Sequence, residues 1–289
     1  MKKYIGIFLS IIILLTMLTS CGYTDIAEFE YTQDENGITI TKYIGTSKKV
    51  KIPDNIDGIS VVAIGPTAFY ENETITSVVL PETIQTIGNN AFYNCTALKK
   101  VNFPEGLLVI GESAFSGCYE LKEVALPSTV NTIYSFAFSF CDTLTGITVA
   151  ETNPNFMSID GVLYSKDGTS LLIYPSGKPE TTFSVPEGVI TIGDSAFSYC
   201  YNLSEINLSS TVTTLGNYSF YFCRFLDSMT INQTVTTIGI NAFSYCESLT
   251  ISCYEGSPVQ LYARENGIEV NIIIPEEVTE QTSDETVAA

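Results

Sequence analysis

Apolar residues return along this chain at a fixed step. From Ile64 onward the pattern is an aliphatic residue, usually Gly, two variable residues, then usually Ala-Phe. It reads Ile64-Gly65 with Ala68-Phe69, Ile87-Gly88 with Ala91-Phe92, Ile110-Gly111 with Ala114-Phe115, and Ile133-Tyr134 with Ala137-Phe138. It resumes as Ile192-Gly193 with Ala196-Phe197, Leu215-Gly216 with Ser219-Phe220, and Ile238-Gly239 with Ala242-Phe243. Within each block the step is 23 residues; from Phe138 to Phe197 it is 59, one step plus an insertion of 36.

A second pattern follows each Phe. Counting from Cys95, Leu98, Val101 and Phe103 fall at +3, +6 and +8, and from Cys118 the same offsets give Leu121, Val124 and Leu126. Later copies give Leu203, Ile206 and Leu208 after Cys200, and Leu226, Met229 and Ile231 after Cys223. The +6/+8 pair alternates with period two, which predicts a short strand with one inward face. Such an L-x-x-L-x-L outline at this period is that of a leucine-rich repeat. One unit cannot bury its own apolar face, whereas stacked units make a continuous core. The expected fold is a repeat solenoid, a right-handed β-rich superhelix of 23-residue units. Gly after the aliphatic residue predicts a tight turn or positive φ. Tyr134 in that place predicts a turn that differs or is strained.

The flanks divide the chain further. Residues 21–62 read as anchor, linker and β-rich N-terminal cap, with Asn36-Gly37 and Asp57-Gly58 as hairpin signals. Repeats fill 63–149 and 186–255. Between them, 150–185 reads as an inserted β-meander island, with Asp160-Gly161 and Asp167-Gly168 flanking Val162-Leu163-Tyr164. Residues 256–274 form a C-terminal cap with a short helix near Tyr262, and 275–289 is an acidic, Thr-rich tail expected to be disordered.

Residues 1–20 have the form of an export signal: Lys2 and Lys3, then an apolar run from about Ile5 to Leu18. Leu18-Thr19-Ser20-Cys21 resembles the lipobox of bacterial lipoproteins. That resemblance implies cleavage before Cys21 and acylation of its thiol, with two chains giving stable anchoring. Without the cysteine the stretch is an ordinary export signal.

The A-F-x-x-C run, the I-G turn and L-x-x-I-x-L-P together resemble the bacterial BspA-like leucine-rich repeats, also called the Treponema pallidum type. The similarity spans about residues 29 to 274. Members are commonly surface or secreted proteins, some implicated in adhesion. The resemblance therefore implies a bacterial cell-surface lipoprotein, on the outer face of a membrane, that binds a macromolecular partner.

Composition narrows the chemistry. Histidine is absent, which removes Ser-His-Asp and Cys-His catalysis and every imidazole metal site. No phosphate loop or nucleophile elbow is present. No enzyme, cofactor or metal is expected, and Asp34-Glu35-Asn36-Gly37 reads as a solvated turn rather than a calcium loop. Against 32 acidic residues stand 13 basic ones, or 11 once the leader lysines are removed, 21 net negative charges. No basic stripe is visible along the chain, so nucleic acid is not an expected partner.

Six cysteines, Cys95, Cys118, Cys141, Cys200, Cys223 and Cys246, sit three residues after the repeat Phe. Equivalent positions stack with parallel side-chain vectors, whereas disulfides need opposed ones, so a buried thiol ladder is expected. The residues just before them change along the chain. Early copies have Glu71, Asn94 and Gly117; later ones have Phe140, Tyr199, Phe222 and Tyr245. The aromatic row has two readings, packing between coils or a contact surface for a protein or glycan. The rest of the chain leaves two other roles open, an envelope-organising lipoprotein and a carbohydrate-binding accessory protein.

Overall fold

The structure, a computed structural model, describes residues 22–274; residues 1–20, read from sequence as an export signal, Cys21 and the acidic stretch 275–289 lie outside the described residues. Each 23-residue unit becomes one coil that crosses two parallel sheets. The front sheet is built from the L-x-x-L-x-L segments. Lys49–Lys51, Ser77–Val79 and Lys100–Val101 pair in one run, then Glu123–Leu126 with Gly146–Val149. The later run is Thr182–Ser184, Glu205–Asn207, Ser228–Thr230, Thr250–Tyr254 and Glu269–Ile273. The side sheet is built from the Thr-Ile pairs: Thr86–Ile87, Val109–Ile110 and Thr132–Ile133, then Thr191–Ile192, Thr214–Leu215 and Thr237–Ile238. Alternation decides which residues turn inward. Val78, Val101, Val124 and Ile147 of the front sheet are buried, as are Ile64, Ile87 and Ile110 of the side sheet.

The repeat phenylalanines form the spine. Phe69, Phe92, Phe115 and Phe138 stack at 4.8, 5.0 and 5.4 Å, and Phe197, Phe220 and Phe243 at 5.2 and 5.0 Å. Tyr43 extends the first stack toward the N-terminus, and Tyr174 opens the second.

The glycines after the aliphatic residue open tight turns, as the Ala91 N to Gly88 O bond shows, but do not take positive φ. They are needed for closeness. A Cβ at Gly88, Gly111, Gly216 or Gly239 would lie 2.4–2.7 Å from backbone nitrogen of the preceding coil. Tyr134 keeps the local bond, its N–H donating to Ile110 O at 3.0 Å, with its side chain in solvent. The change comes two residues later. In ordinary coils alternate N–H groups of the turn donate to the next coil, as Phe92 N to Ala114 O and Asn94 N to Ser116 O. After Tyr134 side chains take over: Phe136 N donates to Ser195 Oγ at 2.8 Å, and Ser139 meets Ser198 through their hydroxyls. This is a seam, and the buried apolar residues separate there into two clusters.

The insertion accounts for the seam. Phe156–Ile159, Val162–Ser165 and Ser170–Ile173 form an antiparallel meander. Its last strand then pairs in parallel with Thr191–Ile192, so this segment also replaces a repeat. Tyr174 takes the place of the repeat Phe. Leu163, Tyr164 and Leu171 are buried. The coils before and after therefore meet directly at their turns.

The ends are closed. Phe29–Gln33 and Ile38–Tyr43 pair as a hairpin, and Ile38–Tyr43 joins Ile59–Ile64 in parallel. A helix, Pro258–Glu265, covers the far end with Val259 and Ala263 buried, its N-cap Ser257 Oγ accepting from Gln260 N. Glu269–Ile273 then adds a last strand that the sequence reading had not separated from the helical cap.

Candidate functional site

The turns joining side sheet to front sheet are the unusual part of each coil. They are successive four-residue turns, closed for example by Ala68 N to Gly65 O and Asn72 N to Phe69 O. The third residue of each such turn is left-handed, a place that favours Gly or Asn. Each coil therefore carries two left-handed positions four residues apart. In the first block they hold Thr67 and Glu71, Asn90 and Asn94, Ser113 and Gly117. From the seam onward they hold Phe136 and Phe140, Ser195 and Tyr199, Tyr218 and Phe222, Asn241 and Tyr245. A left-handed conformation costs an L-residue with a Cβ roughly 1–2 kcal/mol, and a bulky one there is an outlier.

The four aromatic residues named from sequence come together. Phe140 stacks on Tyr199 at 4.9 Å, directly across the seam. Tyr199 stacks on Phe222 at 5.1 Å, and Phe222 on Tyr245 at 4.2 Å. Phe140, Tyr199 and Phe222 are half-buried, and Tyr245 is 55% exposed. Sequence reasoning missed the second layer. Tyr221 packs edge-on against Tyr199, Phe222 and Tyr245, while Phe136 and Tyr218 meet at 5.4 Å over the small Ser195. The signal was present in the other left-handed column, where Phe136 and Tyr218 replace Asn90 and Ser113. Arg224 lies 5.0 Å from the Phe222 ring centre, and Phe225 and Ile240 stand exposed nearby in sequence. Burial, with the phenols of Tyr221 and Tyr201, pushes the Tyr199 hydroxyl up to about 12, so it is a neutral donor at ordinary pH.

Two concavities adjoin this surface. One of about 430 Å³ lies at the seam, floored by Phe138, Phe156 and Leu163, with Asp194 and Ser195 on its rim. The other, about 760 Å³, is open and polar and runs from Tyr218, Tyr221 and Tyr245 to Asn266 and Glu269.

The cysteines are placed for structure. All seven in the described residues are free, and all but Cys246 are buried. Each repeat thiol donates to the carbonyl of the aromatic residue in the preceding coil: Cys95 to Phe69 O at 3.1 Å, Cys118 to Phe92 O at 3.3 Å, Cys223 to Phe197 O at 2.9 Å. Burial pushes the Cys95 and Cys141 thiols up to about 12 and Cys118 well above its ordinary value. In the first copy Asn72 Oδ1 accepts from Thr74 N and Ile75 N instead.

Other groups offer little chemistry. Among the described residues no three His, Cys, Asp or Glu side chains gather to hold a metal, and no helix is long and apolar enough to cross a membrane. Asp34 Oδ1 accepts from Asn36 N and Gly37 N, closing the hairpin turn. The outward front-sheet residues, such as Glu123 with Ala125 and Ser228 with Thr230, are exposed and mixed.

A solenoid of 23-residue coils with parallel front strands and a stacked Phe column defines a leucine-rich-repeat protein. Family comparison is more specific: the BspA type leucine-rich repeat region matches residues 62–166 and 176–280, in six copies. The chain belongs to that family. Among solved structures it is similar to a leucine-rich repeat protein from Eubacterium ventriosum, with 26% identity and a TM-score of 0.62 over 80% of this chain and 71% of that one. It is also similar to the T. pallidum leucine-rich repeat protein, with 23% identity and a TM-score of 0.43 over 88% and 100%. A third is a leucine-rich cell surface protein from Faecalibacterium prausnitzii, with 23% identity and a TM-score of 0.30 over 87% and 98%. No curated protein matches the chain.

Proposed function

We propose that this protein is a non-enzymatic, lipid-anchored surface protein that binds a protein partner through the aromatic edge that runs from the seam into its second block. The carrying observation is the conflict between conformation and residue type. Phe140, Tyr199, Phe222 and Tyr245 have φ of 57°, 61°, 59° and 64°. Asn or Gly would fill these positions without strain, as Asn94 and Gly117 do. Strained positions of this kind cluster at functional sites. Stacking returns part of the strain, about 0.5–1.5 kcal/mol for a ring pair, yet every ring of the row keeps some face or edge in solvent and Tyr245 is 55% exposed. Tyrosine gives a broad, rigid, amphipathic contact at small entropy loss. A glycan fits less well. Sugar stacking needs open ring faces, and here the faces cover one another at 4.2–5.1 Å. Membership in the repeat family and the absence of histidine agree with binding rather than catalysis.

The test pairs Tyr199→Ser with Tyr245→Ser. The variant is expected to keep a melting temperature close to the parent while losing capture of partners from host-matrix and bacterial-surface extracts. Unchanged capture, or a large fall in melting temperature, would dispose of the proposal. The anchor is tested separately: Cys21→Ala should release or mis-process the protein, and normal processing with retained membrane association would refute it.

A further inference from the structure

Read along the chain, the lysines are scattered; folding collects them. Lys48, Lys49, Lys99, Lys100 and Lys122 all lie at the start of front strands in the N-terminal cap and first block, and all are exposed. Lys49, Ser77 and Lys100 share one register column. Lys48, Thr76 and Lys99 share the column before it, through Thr76 N to Lys48 O and Lys99 N to Thr76 O, and Lys122 is one repeat further. Adjacent strands are about 4.8 Å apart, so the five ammonium groups occupy one short strip. Thr76 and Ser77 separate Lys48 and Lys49 from Lys99 and Lys100, while Lys99 and Lys122 stand on consecutive coils, where like charges are destabilising. Little compensates them here: among the described residues only Glu120 approaches, 3.9 Å from Lys99, and Glu123 ends the Lys49 column.

Carboxylates gather at the opposite edge of the same sheet. Glu82 and Glu105 follow the strands, and each accepts a backbone N–H one coil on, from Glu105 and Ser128. The equivalent strand starts in the second block are Thr181, Ser204 and Asp227, aligned by Ser204 N to Thr181 O and Asp227 N to Ser204 O. The strip therefore belongs to one end of a strongly acidic molecule.

That end is also where the N-terminal segment docks. Thr24 N donates to Lys51 O at 3.0 Å, Lys51 N donates to Thr24 Oγ1 at 2.8 Å, and Lys51 Nζ sits 4.3 Å over the Tyr23 ring. These bonds pin residues 23 and 24 along the free edge of the lysine-bearing strand. Cys21 is three residues from Thr24, a reach of roughly 10 Å.

We propose that this lysine strip is a contact surface for anionic lipid headgroups of the membrane that carries the anchor. The inference rests on the reading of Cys21 as the acylated residue, since that reading sets which surface the strip meets. Lysines near an anionic leaflet add to the hold of an acyl anchor, and they fix which side of the molecule faces the bilayer. With this end held down, the second block is the part of the solenoid farther along from the membrane.

The test uses the mature chain from residue 21 with Cys21→Ser, so no acyl group contributes. Every contact described lies within residues 22–274, so this chain keeps the whole folded unit. It is sedimented with vesicles of phosphatidylcholine alone and of phosphatidylcholine with phosphatidylglycerol. Partition onto the mixed vesicles only, weakening as salt rises, is expected. Each of Lys49→Gln, Lys99→Gln, Lys100→Gln and Lys122→Gln should lower it about fivefold, while Lys166→Gln in the island should leave it unchanged. Equal or absent binding to both vesicles, or binding indifferent to the four variants, overturns the proposal. So does retention by a soluble polyanion such as polyphosphate without vesicle binding. Because the assay contains no acylated protein, failure of the anchor reading shows only in the processing of Cys21→Ala, and failure of the strip only in the vesicles.

Discussion

The two repeat blocks share a scaffold and differ in what they put on it. In both, Phe rings stack in the spine, thiols cap carbonyls of the preceding coil, and paired turns demand two left-handed residues. The first block fills those turns largely with Asn, Ser and Gly and places lysines at the mouths of its front strands. The second block has no lysine at those mouths and puts rings into the turns. Scaffold positions are dictated by packing, so they repeat; positions outside that dictate are free to diverge, and they diverge by block. The seam at Phe138 and Tyr174 is where the change occurs.

If the scaffolds are equivalent, the same deletion should hurt each block equally. Phe92 and Phe220 are both fully buried between rings of neighbouring coils. Phe92→Ala and Phe220→Ala should each cost about 3–5 kcal/mol in urea unfolding. Because coils contact mainly their neighbours, hydrogen exchange should rise chiefly in the block that carries the change. Equal loss of protection across both blocks would mean that the seam transmits stability, and the comparison would have to be drawn elsewhere.

The thiols give a smaller effect with a defined pH window. Cys118→Ala should cost roughly 1–3 kcal/mol. Burial raises the folded-state values of Cys95 and Cys141 from 9.0 to about 12. The folded chain thus holds protons that the unfolded chain releases. Their contribution is fully present below about pH 9 and falls as pH climbs toward 12. Urea midpoints should decline across that range, less so in the Cys118→Ala variant, whose buried thiol is also raised. Native protein should resist thiol reagents at neutral pH, and the denatured, unreduced chain should take them up at every repeat cysteine. A Cys95–Cys118 bridge in mass spectrometry would contradict this.

The repeat was legible in the sequence because period and burial are the same fact: Leu98, Val101 and Cys95 recur where the coil turns inward. The thiol ladder was legible for that reason too. The glycine role was legible in part: the tight turn is there, but sequence shows which residue lacks a Cβ and not whether φ or a neighbouring coil requires it. The seam was hidden. Nothing in Ser195 or Ser198 alone announces that they replace backbone bonds 59 residues away. The lysine strip was hidden because its members are split among three coils, and only register puts Lys49 and Lys100 in one column. The aromatic row could be listed as residues, yet its left-handed backbone, on which the proposed role depends, needed coordinates.

The smallest expected effect is the sharpest test of the contrast between blocks. Tyr245 ends the row, stacked on Phe222 on one side and 55% exposed. In Tyr245→Asn the stack on Phe222 and the edge contact with Tyr221 are lost, about 0.5–1.5 kcal/mol for the stack and less for the exposed edge contact. Asn tolerates φ near +60°, so most of the strain, roughly 1–2 kcal/mol, is relieved. The two nearly cancel, and urea unfolding should shift by no more than about 0.5 kcal/mol. The mirror substitution is Asn94→Tyr, at φ 53° in the first block. Its neighbours in the column are Glu71 and Gly117, which offer no ring to stack on. Strain is added with nothing in return, so this change should destabilise by roughly 1–2 kcal/mol. If Tyr245→Asn instead destabilises strongly while Asn94→Tyr is silent, the rings of the second block are there to hold coils together, and the aromatic edge loses its claim as a partner surface.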